Sequence, residues 1–100
     1  MTNETIYFRK ANRSDLQKIW YLFHADSIML KEKQILSQMD NIFILCFQEK
    51  ILGVLCGTYG TGKVNINWVV IHPLYPKKAL SEAMIQELYV FSRESVYANN

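Results

Sequence analysis

The sequence predicts an α+β domain with a mixed, mostly antiparallel sheet, and three observations support this prediction. Two apolar segments, Ile42 to Phe47 and Ile51 to Cys56, flank a short polar turn, which is typical of a β-hairpin. A third segment, Val64 to Ile71, follows after a turn-rich connection. Apolar residues with helical spacing occur both before and after these three segments. The predicted order of elements is therefore β-α-α-β-β-β-α.

The chain begins with a predicted strand from Thr5 to Arg9, on which Ile6 and Phe8 share one face. A helix start follows, because Asn12 can cap the helix and Asp15 lies at the favourable third position. The apolar residues of this first helix recur at helical spacing, at Leu16, Ile19, Trp20 and Phe23.

A second helix is expected from Ser27 to about Met39, with Ile35, Leu36 and Met39 among its inner positions. The loop at residues 72–76 contains two prolines, which exclude regular structure there. The last helix is expected to begin near Lys78 and to fade from Glu94 onwards.

Composition excludes several classes of protein. The chain has 100 residues, of which 50% are apolar and 13% aromatic, so we expect one folded domain over residues 1–100 and no intrinsic disorder. The net charge is +2 and the basic residues are scattered, which argues against a nucleic-acid partner. We find no apolar segment of the length of a signal peptide or a membrane span. The expected localisation is therefore cytoplasmic, without a membrane partner.

Two cysteines, Cys46 and Cys56, are too few for a disulfide framework or a zinc site, so no metal is expected. We expect two buried free thiols. A two-residue turn at Glu49 and Lys50 would place these thiols on opposite faces of the hairpin.

The segment Gly57 to Lys63 satisfies the G-x-x-x-x-G-K part of a phosphate-binding loop, but this interpretation is rejected. That loop requires a Ser or Thr next, where Val64 stands, and then a helix. The residues that follow alternate as in a strand.

A better candidate for an anion site lies where the last strand leads into the last helix. The first turn of that helix contains the small residues Ala79 and Ser81, which allow a phosphate to approach the backbone. The free amides at a helix start favour an anion, and Lys77 and Lys78 add positive charge there.

This segment resembles the core motif of the GNAT superfamily of N-acetyltransferases, which reads V-x-P-x-Y and then Q/R-x-x-G-x-G/A at a helix start. Ile71 to Tyr75 matches the first part, and Pro76 to Ser81 occupies the second. Upstream, Phe8 to Ile19 looks like the opening strand and first helix of the family. The resemblance covers nearly the whole chain. It implies an acyl-CoA N-acyltransferase-like fold that lacks the C-terminal third.

The resemblance also implies a binding mode for acetyl-CoA as co-substrate, with a small-molecule or protein amine as acceptor. Backbone groups of Val69, Val70 and Ile71 would pair with the pantetheine arm. The pyrophosphate would be held by the backbone amides of Lys77, Lys78, Ala79, Leu80 and Ser81.

Two departures from the family pattern predict weak activity. Ala79 and Ser81 replace the signature glycines, and Pro76 supplies no amide. The frequent general base of the family, a Glu on the fourth strand, maps onto Asn65, whose amide cannot accept a proton from an ammonium group. The catalytic residue is therefore unassigned, and water near Asn65 would serve as the base.

Three functions remain open at this point. The first is acetyl-CoA-dependent acetyl transfer to a primary amine, weak or minimal in rate. The second is a non-catalytic GNAT-like regulatory or protein-interaction module that binds CoA or no cofactor. The third is a shared fold with an unrelated binding role.

The resemblance further predicts that the strand Val64 to Ile71 lies at a sheet edge, because the strand that follows in the family is not encoded here. Simple alternation would place Ile66, Trp68 and Val70 on one face. The strand has neither a proline nor a charge, so we expect a homodimer through this edge, or a different chain that supplies the missing strands.

Overall fold

A four-stranded antiparallel sheet forms the centre of the fold, and its strands follow one another in chain order. The computed structural model describes residues 5–25, 31–60 and 62–98. The strands are β1 (Ile6–Lys10), β2 (Ile42–Phe47), β3 (Lys50–Gly60) and β4 (Lys63–Ile71). The helices are α1 (Leu16–Ala25), α2 (Glu32–Ser37) and α3 (Lys77–Ala98). The predicted α+β class and antiparallel hairpin are confirmed.

Each face of the sheet carries its own apolar core. The core between the sheet and α1 and α2 contains, among others, Ile19, Phe23, Ile35, Ile44 and Val54. The core between the sheet and α3 contains, among others, Phe43, Leu45, Leu55, Met84 and Leu88. Since both faces of the sheet are covered, β2 is buried along nearly its whole length.

The connection from β1 to α1 is fixed by the predicted cap and by an ion pair. The Asn12 Oδ1 accepts a hydrogen bond from the Ser14 N–H at 3.0 Å, and Asp15 Oδ2 accepts one from the Asn12 N–H at 2.9 Å. Arg9 donates two further hydrogen bonds to the Asp15 carboxylate, at 2.8 and 2.9 Å. The paired guanidinium holds the pKa of Asp15 below its usual value. A charged group of β1 thus orients the helix that follows it.

The helix boundaries differ from the sequence prediction at several places. α2 ends at Ser37, because the Gln38 N–H turns back to the Ile35 carbonyl at 3.1 Å and a 3-10 turn begins at Met39. Leu36 is exposed, contrary to the prediction, and residues 27–30 of the predicted helix lie outside the described residues. The last helix begins one residue earlier than predicted and continues to Ala98.

The β2–β3 turn lies one residue earlier than predicted, at Gln48 and Glu49, and Gln48 adopts a positive φ of 57°. The register also shifts, which leaves Leu52 as an extra residue in β3. As a result, Cys46 and Cys56 both belong to the core under α1 and α2, so the prediction of opposite faces is wrong. Both thiols are free and buried, as predicted.

β4 contains a second irregularity. Trp68 pairs with Cys56 and Ile66 pairs with Gly57, so Asn67 is an extra residue in β4. A β-bulge of this kind breaks the alternation of side chains along the strand.

The bulge divides β4 into two parts, whose even-numbered side chains point to opposite faces of the sheet. Before it, Val64 and Ile66 pack on the α3 side, whereas after it Trp68 and Val70 pack on the side of α1 and α2. The expectation that Ile66, Trp68 and Val70 share one face is therefore wrong for Ile66. Alternation from its neighbours places Asn65 on the side of α1 and α2.

The bulge requires a glycine on the neighbouring strand. A Cβ built at Gly57 would lie 2.5 Å from the Asn65 carbonyl oxygen, which is a backbone atom that cannot rotate away. By contrast, a Cβ built at Gly60 on the same strand has no heavy atom within 4 Å.

We therefore expect Gly57→Ala to lower the free energy of unfolding by about 1 to 3 kcal/mol, the usual range for overpacking. Gly60→Ala is the matched control, with an expected change within about 0.5 kcal/mol. Urea unfolding followed by circular dichroism measures both values. Equal stability of the two variants would contradict the close approach at the bulge.

Candidate functional site

One edge of β4 presents hydrogen-bonding groups that face away from the sheet. Within the described residues, β4 has a neighbouring strand on the β3 side only. The His72 N–H donates to the Leu52 carbonyl at 2.9 Å, which sets the alternation of the ladder. Val70 therefore directs its N–H and C=O toward β3, whereas Val69 and Ile71 direct theirs outward.

The loop after β4 is held by hydrogen bonds to His72. The Leu74 N–H donates to His72 Nδ1 at 3.1 Å, and the Tyr75 N–H donates to the His72 carbonyl at 3.0 Å. Since Nδ1 is an acceptor, a neutral His72 carries its proton on Nε2. The rings of His72 and Tyr75 meet edge to face, with centroids 5.4 Å apart.

α3 begins directly after this loop. The Leu80 N–H donates to the Pro76 carbonyl at 3.2 Å, so the N–H groups of Lys78 and Ala79 precede the regular helical ladder. Pro76 has no side-chain oxygen to cap them. Lys77, Lys78 and Ala79 are exposed, and the Leu80 side chain packs into the α3 core. The helix start thus combines the Lys78 and Ala79 amides, which precede the helical ladder, with the positive end of the dipole and two lysines.

The residues assigned to cofactor binding in the sequence therefore fall into three groups. Val69 and Ile71 present outward backbone groups, and Lys77 to Ala79 form the exposed helix start at the end of the same strand. The backbone groups of Val70 and the amide of Leu80 are already hydrogen-bonded within the protein, and Ser81 is half-buried. Asn65 is exposed and lies farther back along β4, before the bulge.

A chain of side-chain hydrogen bonds lies next to the bulge, on the face of the sheet that packs against α1 and α2. Gln38 Oε1 accepts from Trp68 Nε1 and from the Cys56 thiol, both at 3.2 Å. The Asn67 side-chain amide donates to Cys56 Sγ at 3.8 Å. Neither Gln38 nor Asn67 has a signal in the sequence, because Gln38 and Trp68 are 30 positions apart and only the bulge brings Asn67 next to Cys56.

A cavity of about 450 Å³ lies on the α1 side, at the same end of the sheet as the loop after β4. Lys18 Nζ donates to the Glu49 carbonyl at 3.2 Å at this cavity. The lining residues come from α1, the β2–β3 hairpin and the loop, and are Lys18, Tyr21, Leu22, Glu49, Lys50, Ile51, His72 and Tyr75. Sequence reasoning missed the cavity because three separate segments build it.

Several kinds of chemistry find no support in the described residues. No cluster of three His, Cys, Asp or Glu side chains among them is arranged to hold a metal ion. Burial raises the pKa of both Cys46 and Cys56, so neither thiol is an activated nucleophile. None of the described helices has the length and apolar character needed to cross a membrane. The site offers backbone hydrogen bonds, a positive helix start and neutral amides.

No protein-family model and no curated protein matches the sequence, but several solved structures are similar. Ribosomal-protein-S18-alanine N-acetyltransferase from Escherichia coli has a TM-score of 0.70 at 15% identity, over 84% of this chain and 57% of that one. Diaminobutyrate acetyltransferase from Paenibacillus lautus, in complex with L-2,4-diaminobutyric acid and coenzyme A, has a TM-score of 0.69 at 12% identity. This match covers 86% of this chain and 57% of that one. A GNAT family acetyltransferase from Staphylococcus aureus has a TM-score of 0.65 at 20% identity, over 90% of this chain and 79% of that one.

The chain spans 57% of the length of the first two of these structures. At such low sequence identity the likeness concerns the fold. The resemblance that the sequence suggested is confirmed at this level: the chain has the fold of the GNAT acetyltransferases.

Proposed function

We propose that this chain transfers an acetyl group from acetyl-CoA to an amine. The observation that carries the proposal is the outward edge of β4 at Val69 and Ile71, which leads through the loop directly to the exposed start of α3. The similar structures are acetyltransferases, and the one from P. lautus is a complex with coenzyme A.

The two parts of the site suit the two parts of the co-substrate. Pantetheine contains two amide groups in an extended chain, so it is able to pair with Val69 and Ile71 as an added strand would. The pyrophosphate is an anion that suits the helix start, where the Lys78 and Ala79 amides and two lysine side chains are exposed. The small side chain of Ala79 leaves the backbone accessible.

The transfer itself requires a neutral amine. The amine nitrogen attacks the thioester carbonyl, a C–N bond forms, the C–S bond breaks, and CoA leaves as the thiolate. The nitrogen must lose a proton, and neither Asn65 nor Asn67 on β4 accepts one, because side-chain amides are not basic at neutral pH. The proton therefore passes to water.

Because the Asn65 side chain cannot serve as a base, it also favours a second candidate function, a CoA-binding module without catalysis. Both candidates require the same binding site, and they differ in whether acetyl-CoA is consumed in the presence of an amine.

The binding site is tested by the double variant Lys77→Ala/Lys78→Ala. Loss of two charge-assisted contacts should weaken CoA binding by about 1 to 3 kcal/mol, measured by calorimetry. The double variant Lys10→Ala/Lys63→Ala removes the same charge at the opposite end of the sheet and should bind CoA like the parent. An unchanged affinity of Lys77→Ala/Lys78→Ala for CoA would show that the pyrophosphate does not bind at this helix start.

The chemistry is tested by Asn65→Glu, with Asn65→Gln as the neutral control of equal length. A positioned base contributes roughly 10² to 10⁴ in rate, so Asn65→Glu should accelerate transfer at neutral pH while the Gln variant does not. The parent rate should rise with pH as the amine deprotonates. Thiol release from acetyl-CoA is followed with L-2,4-diaminobutyrate and with a short peptide that begins with alanine. A parent rate that is high and constant near neutral pH would show that a different residue is the base.

We also propose that two copies pair through β4, since its outward groups and uncharged residues 64–71 suit an added strand. Light scattering after size exclusion should give about twice the chain mass of 11.7 kDa at tens of micromolar protein. Val69 and Ile71 cannot pair with CoA and with a second copy at once, so saturating CoA should shift the protein toward monomer. A monomer at all concentrations without CoA would rule out this pairing.

A further inference from the structure

In the chain of hydrogen bonds next to the bulge, the chemistry of each group determines which atom donates and which accepts. The indole N–H of Trp68 is a donor only, so the Gln38 atom that faces it must be the amide oxygen. The Cys56 thiol faces the same oxygen at 3.2 Å and therefore donates its hydrogen to it. Cys56 is 0% exposed, and burial raises the pKa of its thiol, which keeps the hydrogen in place.

This direction sets the orientation of Asn67. The one hydrogen of the Cys56 thiol is directed to Gln38, so the sulfur is able only to accept from Asn67, and the Asn67 atom next to it must be Nδ2. A flipped amide would place Oδ1 against a sulfur that has no hydrogen to offer. Asn67 Oδ1 is therefore the atom turned away from Cys56, on a side chain that is exposed.

Asn67 also occupies a particular place relative to the proposed co-substrate. If the pyrophosphate binds at the start of α3, the pantetheine arm runs back along β4 from Ile71 to Val69. Its thioester end then reaches the bulge, where Asn67 is the extra residue. Asn67 lies on the side of α1 and α2, the face opposite to α3, as its contact with Cys56 shows.

We propose that Asn67 binds the acceptor amine, with Oδ1 accepting an N–H of the nitrogen that attacks the thioester. This assignment rests on the proposed acetyl transfer. Asn67 holds the amine without removing its proton, and the lone pair of the nitrogen stays available for the carbonyl carbon. A neutral amide oxygen also stabilises the ammonium form less than a carboxylate would, since it carries no opposite charge.

A kinetic test distinguishes an effect on binding of the amine from an effect on binding of the co-substrate. Asn67→Ala should raise the KM for L-2,4-diaminobutyrate or for the alanine peptide by about 2- to 10-fold, the range for one neutral hydrogen bond. The KM for acetyl-CoA and the calorimetric Kd for CoA should stay within twofold of the parent values. Calorimetry of the amine binding to CoA-saturated protein gives the same comparison without turnover.

The orientation of the amide is tested by a matched pair at Cys56. Cys56→Ala removes the acceptor that fixes Asn67 Nδ2 and should raise the amine KM in the same direction. Cys56→Ser keeps both an acceptor for Asn67 and a donor for Gln38, and should restore the parent value. This pair also decides the question if Asn67→Ala fails to fold, which thermal unfolding would show.

The outcomes are distinct. An amine KM that is unchanged in Asn67→Ala, or equal in Cys56→Ala and Cys56→Ser, overturns the role of Asn67 while leaving acetyl transfer in place. A parallel rise in the KM for acetyl-CoA and the Kd for CoA overturns it as well, because that result indicates a disturbed β4. A parent protein that binds no CoA overturns the proposed function itself, and the assignment of Asn67 with it.

Discussion

The bulge in β4 is the constraint on which the candidate site depends. One extra residue, Asn67, moves the side chains before and after it to opposite faces of the sheet, so that Ile66 reaches the α3 core and Trp68 the other core. The same residue brings Asn67 next to Cys56. The close approach of the backbone at Gly57 leaves no room for a side chain there. Packing on both faces thus holds the irregularity in place.

The second organising feature is the junction at the far end of β4. Outward backbone groups on a strand and uncapped amides on a helix are each common, and neither alone indicates a ligand. Here the short loop around His72 places one directly after the other. An extended molecule with amides in its middle and phosphates at one end matches both parts together, which is the reason for proposing CoA and not a simple anion as the ligand.

The sequence predicted the elements and their class but not the details that shape the site. Helical spacing and the Asn12 cap located α1, and the prolines marked the loop after β4. The prediction failed where one residue is added to a strand: Leu52 in β3 brought the two thiols to one face, and Asn67 in β4 broke the expected apolar face. Bulges depend on the partner strand, so alternation within a single strand cannot reveal them. The contact of Gln38 with Trp68 joins residues 30 positions apart and has no local signal.

Binding and catalysis are separable in this molecule, because different atoms would serve each. The proposed binding surface consists of backbone groups and a helix start, to which the exposed Lys77 and Lys78 side chains add positive charge. Catalysis depends on where the proton of the amine goes, and the side chains of Asn65 and Asn67 are neutral amides, which do not take up that proton. In the proposed reaction the rate therefore depends on the basicity of the acceptor amine, because only the neutral amine attacks the thioester.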